Sequence, residues 1–343
     1  MRLDILTNDG SPLGVTSKTI WGDHNRIGVG GAELALLTMC EEWTKAGHEV
    51  ILYNDPWEAN ASPFQQLPIS AFNSKGDRDA LIIFRSPNLR SIPVDNCLKV
   101  WWSCDQQTVG DFKSFSETVD KIVCISPFHQ EYFASTYGIT NTMFIDLPVR
   151  LGDFESLKEE KVRNRVIFTS VPARGLMNLA RMWPRIKKSV PDASLVITSD
   201  YRLWGVQQAS NETFKLKFLM MDGVEYLGAV PRIKLIEELL KAELFLYPSN
   251  YDELFCIACS EAQCAGAYPI TSTKGALPTT NMGTLYAVNA EDVRNDTTFV
   301  EGAVEFLNNP DKDKLKWDIQ ELAVTRFSPE RILGEWNEKV FNS

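Results

Sequence analysis

The chain predicts an α/β protein of two domains, each a parallel sheet with helices on both faces. Three observations lead there. At 343 residues it is long for one core and comfortable for two. Short apolar runs of strand length alternate with segments of helical length. A polar, charged stretch at 149–161 then parts this alternation into two similar halves.

In the first half, residues 3–7, 48–53, 80–84, 98–102 and 121–125 read as strands, with helices at 34–46 and 126–137. The runs are nearly continuous in apolar residues, as strands covered on both faces are. In the second half, 165–169, 193–198, 224–227, 244–247 and 268–271 read as strands, with helices near 176–188, 233–241 and 256–265. Residues 329–341 read as a last helix. Open α/β sheets bind ligands beyond the carboxyl ends of their strands, so two such domains predict a ligand in the cleft between them.

Composition narrows the function classes. A formal charge of −10 argues against nonspecific affinity for nucleic acid or anionic membrane. Seven cysteines, an odd number scattered along the chain, read as reduced thiols of a cytoplasmic protein. Arg2-Leu3-Asp4-Ile5 leads directly into a strand, so no secretory leader is expected. No apolar run reaches the roughly 20 residues a bilayer span needs, so no stable membrane insertion is expected.

The run from Tyr247 to Gly266 carries the most chemistry. Pro248, Ser249 and Asn250 break the apolar strand 244–247, and small residues from Cys256 onward suit a helix packed closely on a sheet. Glu253 stands on the intervening loop and Glu261 stands eight residues later, about two turns into the helix. The free N–H groups of that helix start make an anion site, usually one for phosphate. Glu253 is then placed to accept from hydroxyls of a group carried on the phosphate, and Glu261 to clamp a ribose diol. Read alone, two glutamates at this spacing are ordinarily solvated.

The run resembles the Glu-x7-Glu signature of the retaining GT-B glycosyltransferases, family 4 in particular. The likeness includes the Pro-Ser lead-in and the small residues that follow; Pro269-Ile270-Thr271-Ser272 and Lys274-Gly275-Ala276-Leu277 resemble the next strand and glycine turn. Cys256 stands where the family usually has glycine. The resemblance implies two Rossmann-like domains. Residues 1–150 would form the acceptor side and 162–327 the nucleotide-sugar side, with 328–343 a helix crossing back to the first domain.

Two further stretches carry the resemblance. Gly28-Val29-Gly30-Gly31-Ala32-Glu33 resembles the family's glycine loop, in which Gly30 and Gly31 would approach the donor. A dinucleotide fingerprint fits poorly there, because a long segment separates strand from glycines and Glu33 takes the third glycine's place. In the turn 170–176, Arg174 matches the second of the family's two phosphate-binding cations, while Thr169 stands where the first is expected. An arginine partly compensates, since its planar fork binds phosphate bidentately.

Weaker signals carry smaller expectations. Cys104-Asp105 falls where many members have His-Asp; Asp105 is a candidate for a sugar hydroxyl, and equally an ordinary strand-end residue. Trp101 and Trp102 suit a core better than a sugar platform. His24, His48 and His129 are isolated and show no metal spacing. The segment 198–201 lacks the family's Gly-x-Gly turn.

The resemblance thus implies a retaining hexosyltransferase using a UDP-, GDP- or ADP-sugar, with no metal or other cofactor. Glu253, Arg174 and Asp105 would be catalytic, and Gly30, Gly31, Arg174, Glu253, Leu254, Phe255 and Glu261 would hold the donor. The acceptor (glycan, small molecule, lipid-linked sugar, protein or modified base) stays open. The rival readings are an epimerase or phosphorylase on the same fold, or a noncatalytic nucleotide-sugar binder or partner subunit, which the Thr169 and Cys104 departures favour.

Overall fold

The computed structural model of the chain describes residues 1–7, 14–21, 28–85, 96–204, 209–288 and 293–342. It divides into two compact units. One comprises Met1–His24, Gly31–Pro148 and Pro329–Ser343; the other comprises Asn25–Gly30 and Val149–Ser328.

The first unit's strands are β1 (Arg2–Thr7), β2 (Glu49–Tyr53), β3 (Gln65–Leu67), β4 (Ala80–Phe84), β5 (Leu98–Trp102), β6 (Lys121–Cys124) and β7 (Met143–Phe144). Among the described residues they form one sheet in the order β3-β2-β1-β4-β5-β6-β7, and the pairings are parallel. All five residues of β4, Ala-Leu-Ile-Ile-Phe, are buried, as a strand covered on both faces requires. The helices are α1 (Gly31–Lys45), α2 (Phe112–Ser116) and α3 (Pro127–Tyr137). Local chemistry sets the ends of α3. Ser126 accepts from the His129 N–H, Pro127 opens the first turn, and Gly138 closes the last with φ 65°.

The second unit begins with α4 (Leu151–Glu155), then β8 (Arg165–Thr169), α5 (Leu176–Ser189), β9 (Ser194–Thr198), α6 (Ala209–Leu219) and β10 (Val224–Tyr226). It continues through α7 (Arg232–Lys241), β11 (Leu244–Tyr247), α8 (Ile257–Cys264), β12 (Tyr268–Ser272), α9 (Leu277–Thr280) and β13 (Thr284–Tyr286). It closes with α10 (Val293–Asn308) and α11 (Lys312–Arg326). Its sheet runs β10-β9-β8-β11-β12-β13, again parallel.

The last helix, α12 (Pro329–Trp336), continues as a π-turn over Asn337–Phe341 and packs within the first unit. Trp336 lies edge-to-face with Trp43 and Trp102, each at 5.1 Å between ring centroids. Trp102 is buried in this aromatic core, while Trp101, its neighbour on β5, is buried against Phe112 and Phe133 instead, so both are packing residues.

Both sheets reverse direction of growth beside their first strand, between β1 and β4 and between β8 and β11. At such a reversal the connections leave in opposite directions and open a crevice at the strands' carboxyl ends.

The expected strands and helices are present with shifted ends: α1, for example, starts at Gly31 rather than residue 34. The sequence reading missed β3, β7 and β13, which are short and lie at or next to sheet edges. It also missed the helices α2, α4, α6, α9, α10 and α11; α11 buries only Lys316 and Ala323, so it has almost no apolar stripe to detect.

Candidate functional site

In the second unit, the turn after β8 and the loop after β11 meet at the reversal point. Gly175 makes that meeting possible. Its φ is 101°, and a Cβ there would stand 2.4 Å from the Pro248 carbonyl oxygen. Asn178, at the start of α5, donates to the Pro248 carbonyl at 2.8 Å and to Asn250 Oδ1 at 2.9 Å, tying helix to loop.

Arg174 and Glu253 come together there, with Nη1 3.0 Å from Oε2. The Arg174 guanidinium also lies over the Tyr251 ring, 4.5 Å from its centroid. Tyr247 donates its phenol to Glu253 Oε1 at 2.6 Å, and the phenol oxygen lies 3.2 Å from Ser170 Oγ. Glu253 is only 3% exposed, so its partners decide its charge. Burial pushes its carboxyl upward, opposed by the Arg174 guanidinium and the Tyr247 hydrogen bond. Arg174 is held charged despite its own burial, chiefly by Glu253.

The loop is also pinned from behind. Ala276 N–H donates to the Glu253 carbonyl at 2.6 Å, and a Cβ on Gly275 would stand 2.2 Å from that carbonyl. Leu254 and Phe255 are buried, and Phe255 packs edge-on against Phe327 at 5.7 Å. These two therefore hold the loop by their side chains. Cys256 caps α8 with φ 76°, a left-handed conformation that costs a residue bearing Cβ but not glycine. Cys259 follows three residues later, so a C-x-x-C pair is present although the sequence reading counted none; both thiols are free.

Glu261 has other partners. Within the second unit, Arg150 Nε lies 3.0 Å from Asp153 Oδ1, Asp153 Oδ2 lies 2.8 Å from Arg232 Nε, and Arg232 Nη1 lies 2.6 Å from Glu261 Oε1. The four charges alternate in sign along α4, α7 and α8. The last contact is an ion pair. Burial pushes the Glu261 carboxyl upward, and Arg232 opposes it.

In the first unit, the β1/β4 reversal carries a separate charged group. Arg85 follows β4 with φ 67°; Nη1 lies 2.6 Å from Glu33 Oε1 and Nε 2.8 Å from Asp105 Oδ2. Asp105, three residues past the end of β5, thus accepts from Arg85. Gly31 opens α1, two residues ahead of Glu33, and Gly30 precedes it. His129 is buried and neutral: Ile125 N–H donates to its Nδ1 at 3.3 Å, and burial pulls its pKa down to about 3. It packs between the start of α3 and the end of β6. His48 is partly buried beside Phe341, and His24 lies outside the described residues.

Thr169 ends β8, buried, where the family's first cation was expected. The turn after β9 is closed by Asp200, which accepts from Arg202 N–H at 2.8 Å and Nε at 2.7 Å. Among the described residues, no three His, Cys, Asp or Glu side chains are grouped to hold a metal ion. No helix among them is long and apolar enough to cross a membrane.

The sequence reading missed Tyr247 as a partner of Glu253, and missed Arg232, Asp153 and Arg85 altogether. Tyr247 is visible in hindsight as the polar end of an apolar strand. Arg232 lies 29 residues before Glu261, and nothing in the sequence joins them.

Residues 153–319 match the model of the family described as glycosyl transferases group 1. Over 196 residues, 55% of this chain, the sequence is 25% identical to the A subunit of phosphatidylinositol N-acetylglucosaminyltransferase from Arabidopsis thaliana; the match spans 42% of that relative's length. Among solved structures, HepE of Anabaena in complex with UDP and glucose superposes with a TM-score of 0.72 at 14% identity, covering 100% of both chains. Sucrose-phosphate synthase from Thermosynechococcus elongatus gives 0.71 at 16% identity, covering 99% of each. A glycosyltransferase of Avilamycin A biosynthesis gives 0.71 at 14%, covering 98% of this chain and 96% of the other. At these identities the likeness is one of fold, and the fold is GT-B.

Proposed function

We propose that the chain, whose residues 153–319 match the model of the group 1 glycosyl transferases, moves a hexose from a nucleotide-diphosphate sugar to a hydroxyl acceptor with retention. The observation that carries this reading is the Arg174–Glu253–Tyr247 group at the β8/β11 reversal, just ahead of the α8 N-terminus. A fixed guanidinium and a set of helix amides are what a leaving diphosphate needs as its charge grows. That supply of positive charge also supports chemistry without a metal.

In this reading Arg174 and the α8 amides hold the diphosphate, Glu253 orients the hexose and Glu261 holds the ribose. The acceptor hydroxyl attacks the anomeric carbon while the sugar–phosphate bond breaks on the same face. Its proton passes to the departing phosphate oxygen. Gly30 and Gly31 would approach the donor, and Asp105, held by Arg85, would meet a hydroxyl on the acceptor side. The seven free thiols favour a reducing, cytoplasmic compartment.

A second reading, a noncatalytic nucleotide-sugar binder or partner subunit, is favoured by Thr169 in place of a phosphate cation and by a relative named as a subunit. Thermal shift with UDP, GDP, ADP and their common sugar conjugates, with and without Mg2+, followed by donor turnover, separates the two. A stabilising donor that is also turned over without Mg2+ supports the transferase. Binding without turnover supports the binder. Arg174→Ala should weaken donor affinity and turnover together, whereas Glu253→Ala should lower turnover more than nucleotide affinity. Unchanged donor affinity in Arg174→Ala would sink the site.

A further inference from the structure

We infer that Arg232 is the positioning residue of the ribose clamp, fixing the Glu261 carboxylate in place and in charge. The inference rests on the role proposed above for Glu261. Arg232 and Asp153 are each 3% exposed and Glu261 is 5% exposed, so this is a fully desolvated ion network rather than a surface one. Such a network adds little stability over apolar packing of the same volume, yet removing one member leaves a buried charge without compensation. The use such a network can have is to fix geometry.

Two features point to that use. Asp153 takes the Nε edge of the Arg232 guanidinium and Glu261 meets its Nη1, so the planar fork is oriented from both sides. The network also leaves one donor over: among the described residues, Arg232 Nη2 is buried with no hydrogen-bond partner, while Glu261 Oε1 is taken up by the ion pair with Arg232 Nη1. An unpaired donor and an accepting carboxylate thus stand on adjacent groups. A vicinal diol is their complement, because each hydroxyl both donates and accepts. Without Arg232, burial would favour a protonated Glu261, which no longer accepts at both oxygens.

The test compares UDP, GDP and ADP with their 2′,3′-dideoxy counterparts, using the whole chain and direct binding measurements. The wild-type protein should prefer the ribose form of its nucleotide by about tenfold or more, as for a hydrogen bond to a charged group. Arg232→Gln should bring the two forms to within about threefold of each other, with dideoxy affinity unchanged. A purely structural role would lower both affinities in parallel, and that outcome overturns the inference. Arg232→Lys keeps the charge but not the fork, and should reduce the preference by at least about threefold. If the Gln variant does not fold, the Lys variant decides, and an unchanged preference there overturns the inference. A wild-type protein that binds a nucleotide but ignores its ribose hydroxyls defeats the role of Glu261 itself. Binding of none of the three defeats the proposed function.

Discussion

Glu253 works at the residue scale through two short contacts of opposite kind, a guanidinium and a phenol. The phenol is the more informative to remove. Tyr247→Phe deletes the donor at 2.6 Å and leaves one carboxylate oxygen buried without it. Because that hydrogen bond favours the ionised form, its loss should raise the Glu253 pKa further. If ionised Glu253 is needed for transfer, the acid limb of the kcat–pH profile should move to higher pH; an unmoved limb would show that Glu253 does not titrate in the reaction. Cys256 offers a second test. At φ 76°, glycine relieves strain, so Cys256→Gly should raise stability by about 0.5–1 kcal/mol by denaturant unfolding. A loss of stability would show that thiol packing outweighs the backbone.

Among elements, β11 is held from both ends. Its carboxyl end carries the site, and its entry is anchored by Glu243, which accepts from Lys312 at 2.7 Å, Lys316 at 3.0 Å and the Asn164 N–H at 2.8 Å. Two lysines of α11 thus fasten that helix to the central strand, compensating for its weak apolar stripe. Burial raises the Glu243 carboxyl, but the two ammonium groups outweigh it and leave the pKa below its ordinary 4.5. The sign follows: this stability is present above pH 4.5 and is lost as pH falls through the lower folded value. Glu243→Gln should cost about 2–3 kcal/mol at neutral pH and flatten the acid limb of the stability profile. A variant with wild-type stability at pH 7 would make the cluster a surface decoration.

For the whole molecule, the chain's end is part of its beginning. Trp336 is fully buried against Trp43 and Trp102, so the first unit's aromatic core is completed only by residues some 290 positions later. Trp336→Ala should destabilise the first unit by about 3–5 kcal/mol. With two units, unfolding need not be all-or-none. A separate early transition is therefore the expected signature, read by tryptophan fluorescence against denaturant. One unchanged transition would mean that the terminal segment only covers the core.

The sequence by itself determined the alternation of strands and helices, the parallel sheets and the run holding Glu253 and the α8 start, with Arg174 in its own turn. These are local in cause: apolar runs of strand length, Pro-Ser breaks, a glycine turn and a cap are read along the chain. Residues 153–319, where the family model matches, are also where motif spacing was densest. Tertiary structure alone decided the partners. Tyr247 on Glu253, Arg232 between Asp153 and Glu261, and Arg85 between Glu33 and Asp105 join residues that the chain itself does not pair. A buried charge takes its partner from whatever the packing brings within about 3 Å, and no periodicity records that choice. The short edge strands and α11 were hidden for a related reason: pairing and salt links hold them, and neither writes a pattern into the local sequence.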